Sequence, residues 1–322
     1  MSHIYEALQR AEAERKAGGP GVATTMEPEH QSMAFAPAAP VVEEARVTEQ
    51  VRAAAVPSPL HEASVPASSP VLDPSFLSHV QRRPWNPSLE RLPALHRGGV
   101  EVEQFRSLRS RVQEFRDLKK LKSVLVSSGL PQEGKSFIAA NLAINLARHK
   151  SSKVLLIDGD MRCSSLHHYL GSDFYPGLPD YLSGKASLLE VMQYPEESAD
   201  REPAMNAVLN NIAFIPGGDG GDMAADLSVS KRFDELLKTV EPYFDWIIID
   251  SPPVLLVSDA VNLARSSDAV LLVARSGVTT FPVAQRAQQE LKAANVIGFV
   301  LNAVEKPPMS GSYYYRYENK IN

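Results

Sequence analysis

Residues 123–136 read SVLVSSGLPQEGKS, and from Lys135 the chain continues as KSFIAANLAINLARHK. The first six residues form a short apolar run typical of a strand, and the segment from Lys135 has the pattern of a helix. Between them, GLPQEGKS satisfies G-x-x-x-x-G-K-[S/T] in the strand–loop–helix context that this pattern requires. The stretch therefore predicts a phosphate-binding P-loop.

The residue types of the P-loop explain why it would bind a nucleotide with a metal. The glycines allow backbone N–H groups to turn toward the phosphates, and the following helix adds its positive N-terminus. Lys135 would reach the β- and γ-phosphate oxygens, and Ser136 would take a magnesium position, so ATP and Mg²⁺ are the predicted cofactors. A glycine-rich turn with a capping serine is the alternative. The predicted nucleotide-binding residues of the loop are Gly129, Leu130, Pro131, Gln132, Glu133, Gly134, Lys135, Ser136 and Phe137.

Helical segments separate a series of short apolar runs. The runs are SVLVSS, KVLLID, IAFIP, DWIIID, AVLLVA and VIGFVLN. Strands that are apolar throughout, with helices between them, favour a parallel sheet covered on both faces. We therefore predict a doubly wound, mostly parallel α/β P-loop domain over residues 97–306. Ligands of such sheets bind beyond the carboxyl ends of the strands.

Two of these runs end in aspartate. KVLLID ends at Asp158, which is followed by Asp160 in DGDMR, and DWIIID ends at Asp250. If both strands are parallel to the P-loop strand, the three carboxylates project toward the γ-phosphate and its metal. A strand-end aspartate can instead cap the next turn. Asn302, at the end of VIGFVLN, is placed like residues that contact adenine in related ATPases, although a turn asparagine is the alternative.

Composition narrows the classes of partner. The chain of 322 residues carries a formal charge of −5, with a pI near 5.9, and so lacks the basic field that nucleic-acid binding needs. Its single cysteine, Cys163, cannot form an internal disulfide, which favours a reducing cytoplasm. No apolar run approaches the length of a transmembrane helix, so any membrane role is expected to come from a partner.

The ends of the chain differ from the middle. Residues 1–16 predict a short amphipathic helix that docks on a partner, or else one that frays. Residues 17–96 are rich in Pro, Ala and Ser and predict a disordered arm. Residues 307–322 form a tail whose four tyrosines have no core to enter, so a buried role is not expected, and a sticky, disordered or partner-binding end is one interpretation. The tyrosines are Tyr313, Tyr314, Tyr315 and Tyr317.

Together these motifs resemble a known family. GLPQEGKS, VLLIDGDMR and WIIIDSPP are similar to the Walker A, A′ and B motifs of the bacterial tyrosine kinases (BY-kinases) of capsule and exopolysaccharide assembly, P-loop proteins related to MinD/ParA. The resemblance runs from about residue 101 to 304 and also covers LHHYLGSDFYPGLPDYLSGKASLLEVM and PPVLLVSDA. It departs from the family at GGDGGDMAADLSVSKRFDELL, where a Pro/Asn-rich stretch is usual, and at Gln132, where glycine is common.

The resemblance implies a protein-tyrosine autokinase that regulates exopolysaccharide polymerisation and export. Lys135, Asp158, Asp160 and Asp250 would be catalytic, with Asp158 near the incoming tyrosine hydroxyl. Ser136, Asp160 and Asp250 would hold the metal, and the tail tyrosines would accept phosphate. Glu103, Arg106 and Arg109 match the E-x-x-R-x-x-R helix that joins subunits into a ring, although an ion pair on a solvated helix is the alternative.

The resemblance also implies partners and competing functions. A membrane-embedded polysaccharide co-polymerase or chain-length regulator would recruit the chain to the inner face of the membrane, and a tyrosine phosphatase would oppose it. The first rival is an ATPase switch of the MinD/ParA kind, but that family carries lysine where this chain has Leu130. The second rival is a non-catalytic, nucleotide-gated scaffold in the same export system.

Overall fold

The computed structural model describes residues 75–149 and 151–305, which form one eight-stranded sheet with its helices. The strands are β1 Gln81–Arg83, β2 Ser123–Ser128, β3 Val154–Asp158, β4 Gln193–Pro195, β5 Ile212–Ile215, β6 Trp246–Asp250, β7 Ala269–Arg275 and β8 Val296–Asn302. Their order across the sheet is β1-β4-β5-β3-β6-β2-β7-β8. Every neighbouring pair is parallel except β4 and β5. The predicted fold class is confirmed.

Ten α-helices and three short 3-10 helices connect these strands within the described residues. The α-helices are α1 Val100–Lys119, α2 Lys135–Ala147, α3 Leu166–Leu170, α4 Leu178–Leu182, α5 Leu188–Val191, α6 Pro203–Leu209, α7 Ala224–Ser228, α8 Lys231–Val240, α9 Asp259–Ser266 and α10 Phe281–Glu290. The 3-10 helices are Phe76–His79, Pro93–Leu95 and Gly221–Met223. Among the described residues, no helix has the length and apolar character needed to span a membrane.

The central strands are buried on both faces, which explains their uninterrupted apolar sequence. In β2, Val124 and Val126 belong to the core that packs on α1 and α2, whereas Leu125 belongs to the core that packs on α8 and α9. All three side chains are inaccessible to solvent. Each such burial contributes about 1.5–3 kcal/mol to the free energy of folding. The P-loop strand is therefore held rigidly at the centre of the sheet.

The folded domain begins earlier than the predicted boundary at residue 97, because the last part of the predicted arm is ordered. β1 extends the sheet by pairing with β4, and the Trp85 indole donates a 3.0 Å hydrogen bond to Gln193 Oε1. Leu92 is fully buried, and the Ala94 N–H donates to Asn141 Oδ1 on α2 at 3.0 Å. The prolines that suggested disorder are compatible with this structure, since Pro93 begins a 3-10 turn where no N–H donor is needed.

Three sequence predictions fall wholly or partly outside the described residues. They are the amphipathic helix at 1–16, the rest of the arm and the tyrosine tail at 307–322.

Candidate functional site

The P-loop lies between β2 and α2, at the carboxyl edge of the sheet, as predicted. Its backbone turns through two left-handed residues, Gln132 with φ 61° and Gly134 with φ 97°. A Cβ at Gly134 would meet Asn302 Nδ2, and a φ of 97° is strained for any residue with a Cβ, so this position favours glycine. The left-handed conformation at Gln132 is one that glycine would adopt without strain.

The P-loop residue Glu133, together with Thr279 after β7 and Asn302 at the end of β8, holds the P-loop in shape. Glu133 is almost fully buried, and its Oε2 accepts a 2.8 Å hydrogen bond from the Leu130 N–H. Its Oε1 accepts a hydrogen bond from the Thr279 hydroxyl, and Asn302 Nδ2 donates to the Glu133 carbonyl at 2.9 Å. Sequence analysis missed Thr279, because it lies in the loop after β7 and no motif marks it. Asn302 contacts the P-loop backbone, and a role beside adenine stays a prediction.

Lys135 lies among the three predicted carboxylates. Its Nζ is 3.1 Å from Asp160 Oδ2, and both side chains are largely buried. Burial lowers the pKa of the Lys135 ammonium, but the charges of Asp250, Asp160 and Asp158 outweigh this effect and raise the pKa above its ordinary value. Lys135 is therefore a fixed positive charge at the start of α2, where the helix N-terminus also favours anions.

The buried carboxylate of Asp250 has one oxygen without a hydrogen-bond partner among the described residues. It is fully buried, Oδ1 accepts from the Ser251 N–H at 3.1 Å, and Oδ2 has no hydrogen-bond partner among the described residues. Burial raises the pKa of Asp250 to about 7, although Lys135 and the Ser136 hydroxyl favour its charged form. An unpartnered carboxylate oxygen in such surroundings suits a hard divalent cation, which prefers oxygen ligands.

Asp158 stands beside Asp250 in the register of β3 and β6, and it too is fully buried. Its Oδ2 accepts hydrogen bonds from the Ser164 hydroxyl at 2.8 Å and from the N–H groups of Ser165 and Leu166, each at 3.0 Å. Burial raises the pKa of Asp158, while these hydrogen bonds oppose the shift. The carboxylate thus organises the turn that follows β3, and the predicted contact with a tyrosine hydroxyl stays a proposal.

The predicted interface residues lie on α1, outside the nucleotide site. Arg106 and Glu103 form the i,i+3 ion pair that the sequence allowed, and Arg109 Nη1 donates to the Asn145 carbonyl of α2 at 3.2 Å. Subunit contact through this helix stays a prediction. The tail tyrosines Tyr313, Tyr314, Tyr315 and Tyr317 lie outside the described residues.

Comparison with known proteins agrees with this geometry. A family model described as an AAA domain matches residues 132–281. The tyrosine-protein kinase CpsD of Streptococcus pneumoniae serotype 4 is 33% identical over 206 residues, which cover 63% of this chain and 84% of CpsD. The chain belongs to the CpsD family of tyrosine-protein kinases. The kinase domain of the Escherichia coli tyrosine kinase ETK superposes with a TM-score of 0.58 at 29% identity, covering 66% of this chain and 79% of that structure.

Other members of the kinase family are much longer than the matched region. The tyrosine-protein kinase wzc of Salmonella typhimurium is 31% identical over 228 residues, which cover 68% of this chain but only 30% of wzc. The match to wzc is therefore confined to one part of that protein, and the activity, substrates and partners of this chain are proposed below.

Proposed function

We propose that the chain is an ATP-dependent protein-tyrosine autokinase that regulates exopolysaccharide or capsule polymerisation and export. The observation that carries the proposal is the buried group formed by Lys135, Asp160 and Asp250 beside the P-loop. It combines one paired carboxylate, one unpartnered carboxylate oxygen and a fixed positive charge. Membership in a family of tyrosine-protein kinases supports the choice of reaction.

The residues at the P-loop fit Mg-ATP. Residues 129–137 would surround the phosphates, and Ser136, Asp160 and Asp250 would hold Mg²⁺. Magnesium is commonly bound through one or two carboxylates together with phosphate oxygens, so this small set of protein ligands is sufficient. When bound, Mg-ATP would supply the γ-phosphoryl group, and Lys135 would neutralise charge on its oxygens.

Transfer to tyrosine places modest demands on a base. A tyrosine hydroxyl has a pKa of about 10, but phosphoryl transfer proceeds through a loose transition state that needs little activation of the nucleophile. The phenol oxygen would form the new O–P bond as the bond to ADP breaks. The phenolic proton would pass late to Asp158, whose main task would be to orient the hydroxyl. This role requires the Asp158 carboxylate to become accessible, because it is fully buried in the structure.

The proposed acceptors are Tyr313, Tyr314, Tyr315 and Tyr317 in the tail. Subunits would assemble into a ring through Glu103, Arg106 and Arg109, so that one tail enters a neighbouring site. A membrane-embedded co-polymerase would recruit the chain from the cytoplasm to the inner face of the membrane and activate it, and a tyrosine phosphatase would reverse the reaction. Each phosphate adds a charge of about −1.5 to −2, which would oppose assembly.

Incubation of the full chain with Mg²⁺ and γ-labelled ATP tests the proposal, with and without the cytoplasmic segment of a candidate co-polymerase. We expect label on the tail tyrosines, mapped by mass spectrometry, and no label in Asp158→Asn or Lys135→Met. Asp158→Asn should still bind ATP, which separates transfer from binding. Release of free phosphate without phosphotyrosine would instead identify an ATPase, and neither product would identify a scaffold.

A further inference from the structure

Three arginines lie together where α1, α2 and residues 94–96 meet, away from the P-loop. Arg106 and Arg109 share one face of α1, and Arg148 caps the C-terminus of α2. Backbone carbonyls hold two of the guanidinium groups. Arg109 donates to the Asn145 carbonyl at 3.2 Å, and Arg148 donates to the Ala94 carbonyl at 2.6 and 2.9 Å. The positions of these two charges are therefore fixed before any ligand binds.

The cluster carries excess positive charge. Among the described residues, Glu103 is the only carboxylate that forms an ion pair with any of the three arginines, and it pairs with Arg106. Burial, followed by the charges of Arg106 and Arg109, lowers the pKa of Arg148. Three cations with one paired anion leave about two positive charges uncompensated, so the cluster is complementary to a dianion.

Buried polar atoms without partners lie beside these guanidinium groups. Asn145 is fully buried, and neither Nδ2 nor Oδ1 of its amide has a hydrogen-bond partner within the described part of the chain. The same is true of Arg109 Nε. Buried polar atoms are normally hydrogen-bonded, so Asn145 Nδ2 and Arg109 Nε have the capacity for a further acceptor. Because both atoms are inaccessible in the structure, a ligand would reach them only after neighbouring side chains move. Arg106 remains accessible, with 41% of its side chain exposed.

We propose that Arg106, Arg109, Arg148 and Asn145 form a binding site for a phosphate monoester dianion, with phosphotyrosine of the tail as its source. A phosphate monoester offers three strong acceptor oxygens and about two negative charges at neutral pH, whereas a carboxylate offers one charge. Guanidinium groups suit such an anion because they bind its oxygens in pairs. The choice of phosphotyrosine rests on the proposed kinase function, and the tail of this chain or of a second copy could supply it.

Occupation of this site would have a consequence for assembly. Arg106 and Arg109 also belong to the proposed ring interface on α1. A phosphorylated tail bound there would occupy the same surface as a neighbouring subunit, so product formation would favour separate subunits. The negative charge added by phosphorylation would then oppose assembly at a defined surface, the arginines of α1.

A synthetic peptide of residues 311–322, phosphorylated on Tyr315, tests the site. The peptide is titrated into full-length protein carrying Lys135→Met, which weakens phosphate binding at the P-loop. Binding is followed by calorimetry and by the NMR signals of the arginine Nε–H groups. We expect the Arg109 signal to shift. Arg106→Gln should bind about tenfold more weakly, the loss expected for one charge-assisted hydrogen bond.

Arg111→Gln is the matched control, because Arg111 lies on the same helix and, within the described part of the chain, forms an ion pair with the exposed Glu114 alone. Its affinity should be unchanged, and circular dichroism checks that both variants fold. Equal binding of the unphosphorylated peptide, or unchanged affinity in folded Arg106→Gln, would overturn the site. If inorganic phosphate shifts the Arg109 signal with the same affinity, the anion site is supported and the tail is rejected as its source.

The result is independent of catalysis. Because the peptide is synthetic and Lys135→Met need not turn over ATP, failure to bind leaves the kinase proposal intact. Absence of kinase activity, with peptide binding intact, would overturn only the source of the phosphate.

Discussion

Replacing Asp250 by asparagine is expected to stabilise the protein in buffer without nucleotide, although it removes a proposed magnesium ligand. The carboxylate is fully buried, and its Oδ2 has no hydrogen-bond partner among the described residues. Its pKa rises from 3.8 to about 7, mainly through burial, and this value already includes the attraction of Lys135. The folded chain therefore pays a free-energy penalty for ionising this group, and asparagine avoids it.

The magnitude and sign follow from the pKa. A rise of about three units costs about 4 kcal/mol of folding free energy once the group is ionised in both states. Asparagine leaves a neutral buried amide without a full set of partners, which costs about 1–3 kcal/mol, so the net gain at pH 8 is about 2 kcal/mol. Because the folded pKa is raised, the folded state binds the proton more tightly. The penalty of the wild-type chain is absent below about pH 4, grows as pH rises and is complete above about pH 7.

Urea and thermal unfolding at pH 5 to 8, both followed by circular dichroism, measure this difference as an unfolding free energy and a melting temperature. We expect Asp250→Asn to exceed the wild type at pH 8, with a melting temperature about 4–8 °C higher, and to lose this advantage near pH 5. Asp117→Asn, an exposed change on α1, should show no such pH dependence. Lower stability of Asp250→Asn at pH 8, or the same difference at pH 5 and pH 8, would refute the electrostatic reasoning.

Three further changes probe the P-loop. Lys135→Met should remove the rise in melting temperature that Mg-ADP gives the wild type, and a full rise in the folded variant would contradict phosphate binding there. Thr279→Val should lower the unfolding free energy by about 1–3 kcal/mol by leaving Glu133 short of a donor, whereas Thr280→Val, whose hydroxyl makes no cap hydrogen bond, should have little effect in the same urea assay. Gln132→Gly should raise thermal stability by about 1 kcal/mol by relieving the left-handed backbone, and a loss of stability would argue against strain at this residue.

Much of the fold could be predicted because each central strand is an uninterrupted apolar run in the sequence. The six apolar runs correspond to β2, β3, β5, β6, β7 and β8. The strands β1 and β4 were missed because QRR and QYP are three residues long and have no apolar pattern. Their position depends on contacts distant in sequence, such as the hydrogen bond from Trp85 to Gln193. Residues 75–96 were predicted to be part of a disordered arm from their composition alone. A count of prolines does not show which of them occupy ordered turns, as Pro93 does.

The site was predictable to the extent that its residues follow strands. Asp158 and Asp250 are the last residues of β3 and β6, and Asp160 follows β3 by two residues. Parallel pairing of those strands brings the three carboxylates to the P-loop. The residues that hold the P-loop in shape are not marked by any pattern in the sequence. Thr279, in the loop after β7, and Asn302, at the end of β8, lie near the P-loop only once β7 and β8 have formed. A buried Glu133 cannot be distinguished from an exposed one by sequence.

The charges at the P-loop suggest why the carboxylates tolerate burial there. Asp158 is stabilised by hydrogen bonds from the turn after β3, and Asp160 is stabilised by Lys135. Lys135 also favours the charged form of Asp250, but Asp250 Oδ2 has no hydrogen-bond partner among the described residues, so part of its stabilisation is left to a ligand. A divalent cation bound there would favour the ionised carboxylate and displace its proton near pH 7. The same burial that lowers the stability of the chain would therefore strengthen its interaction with Mg²⁺, as expected where a site is built for binding rather than for stability.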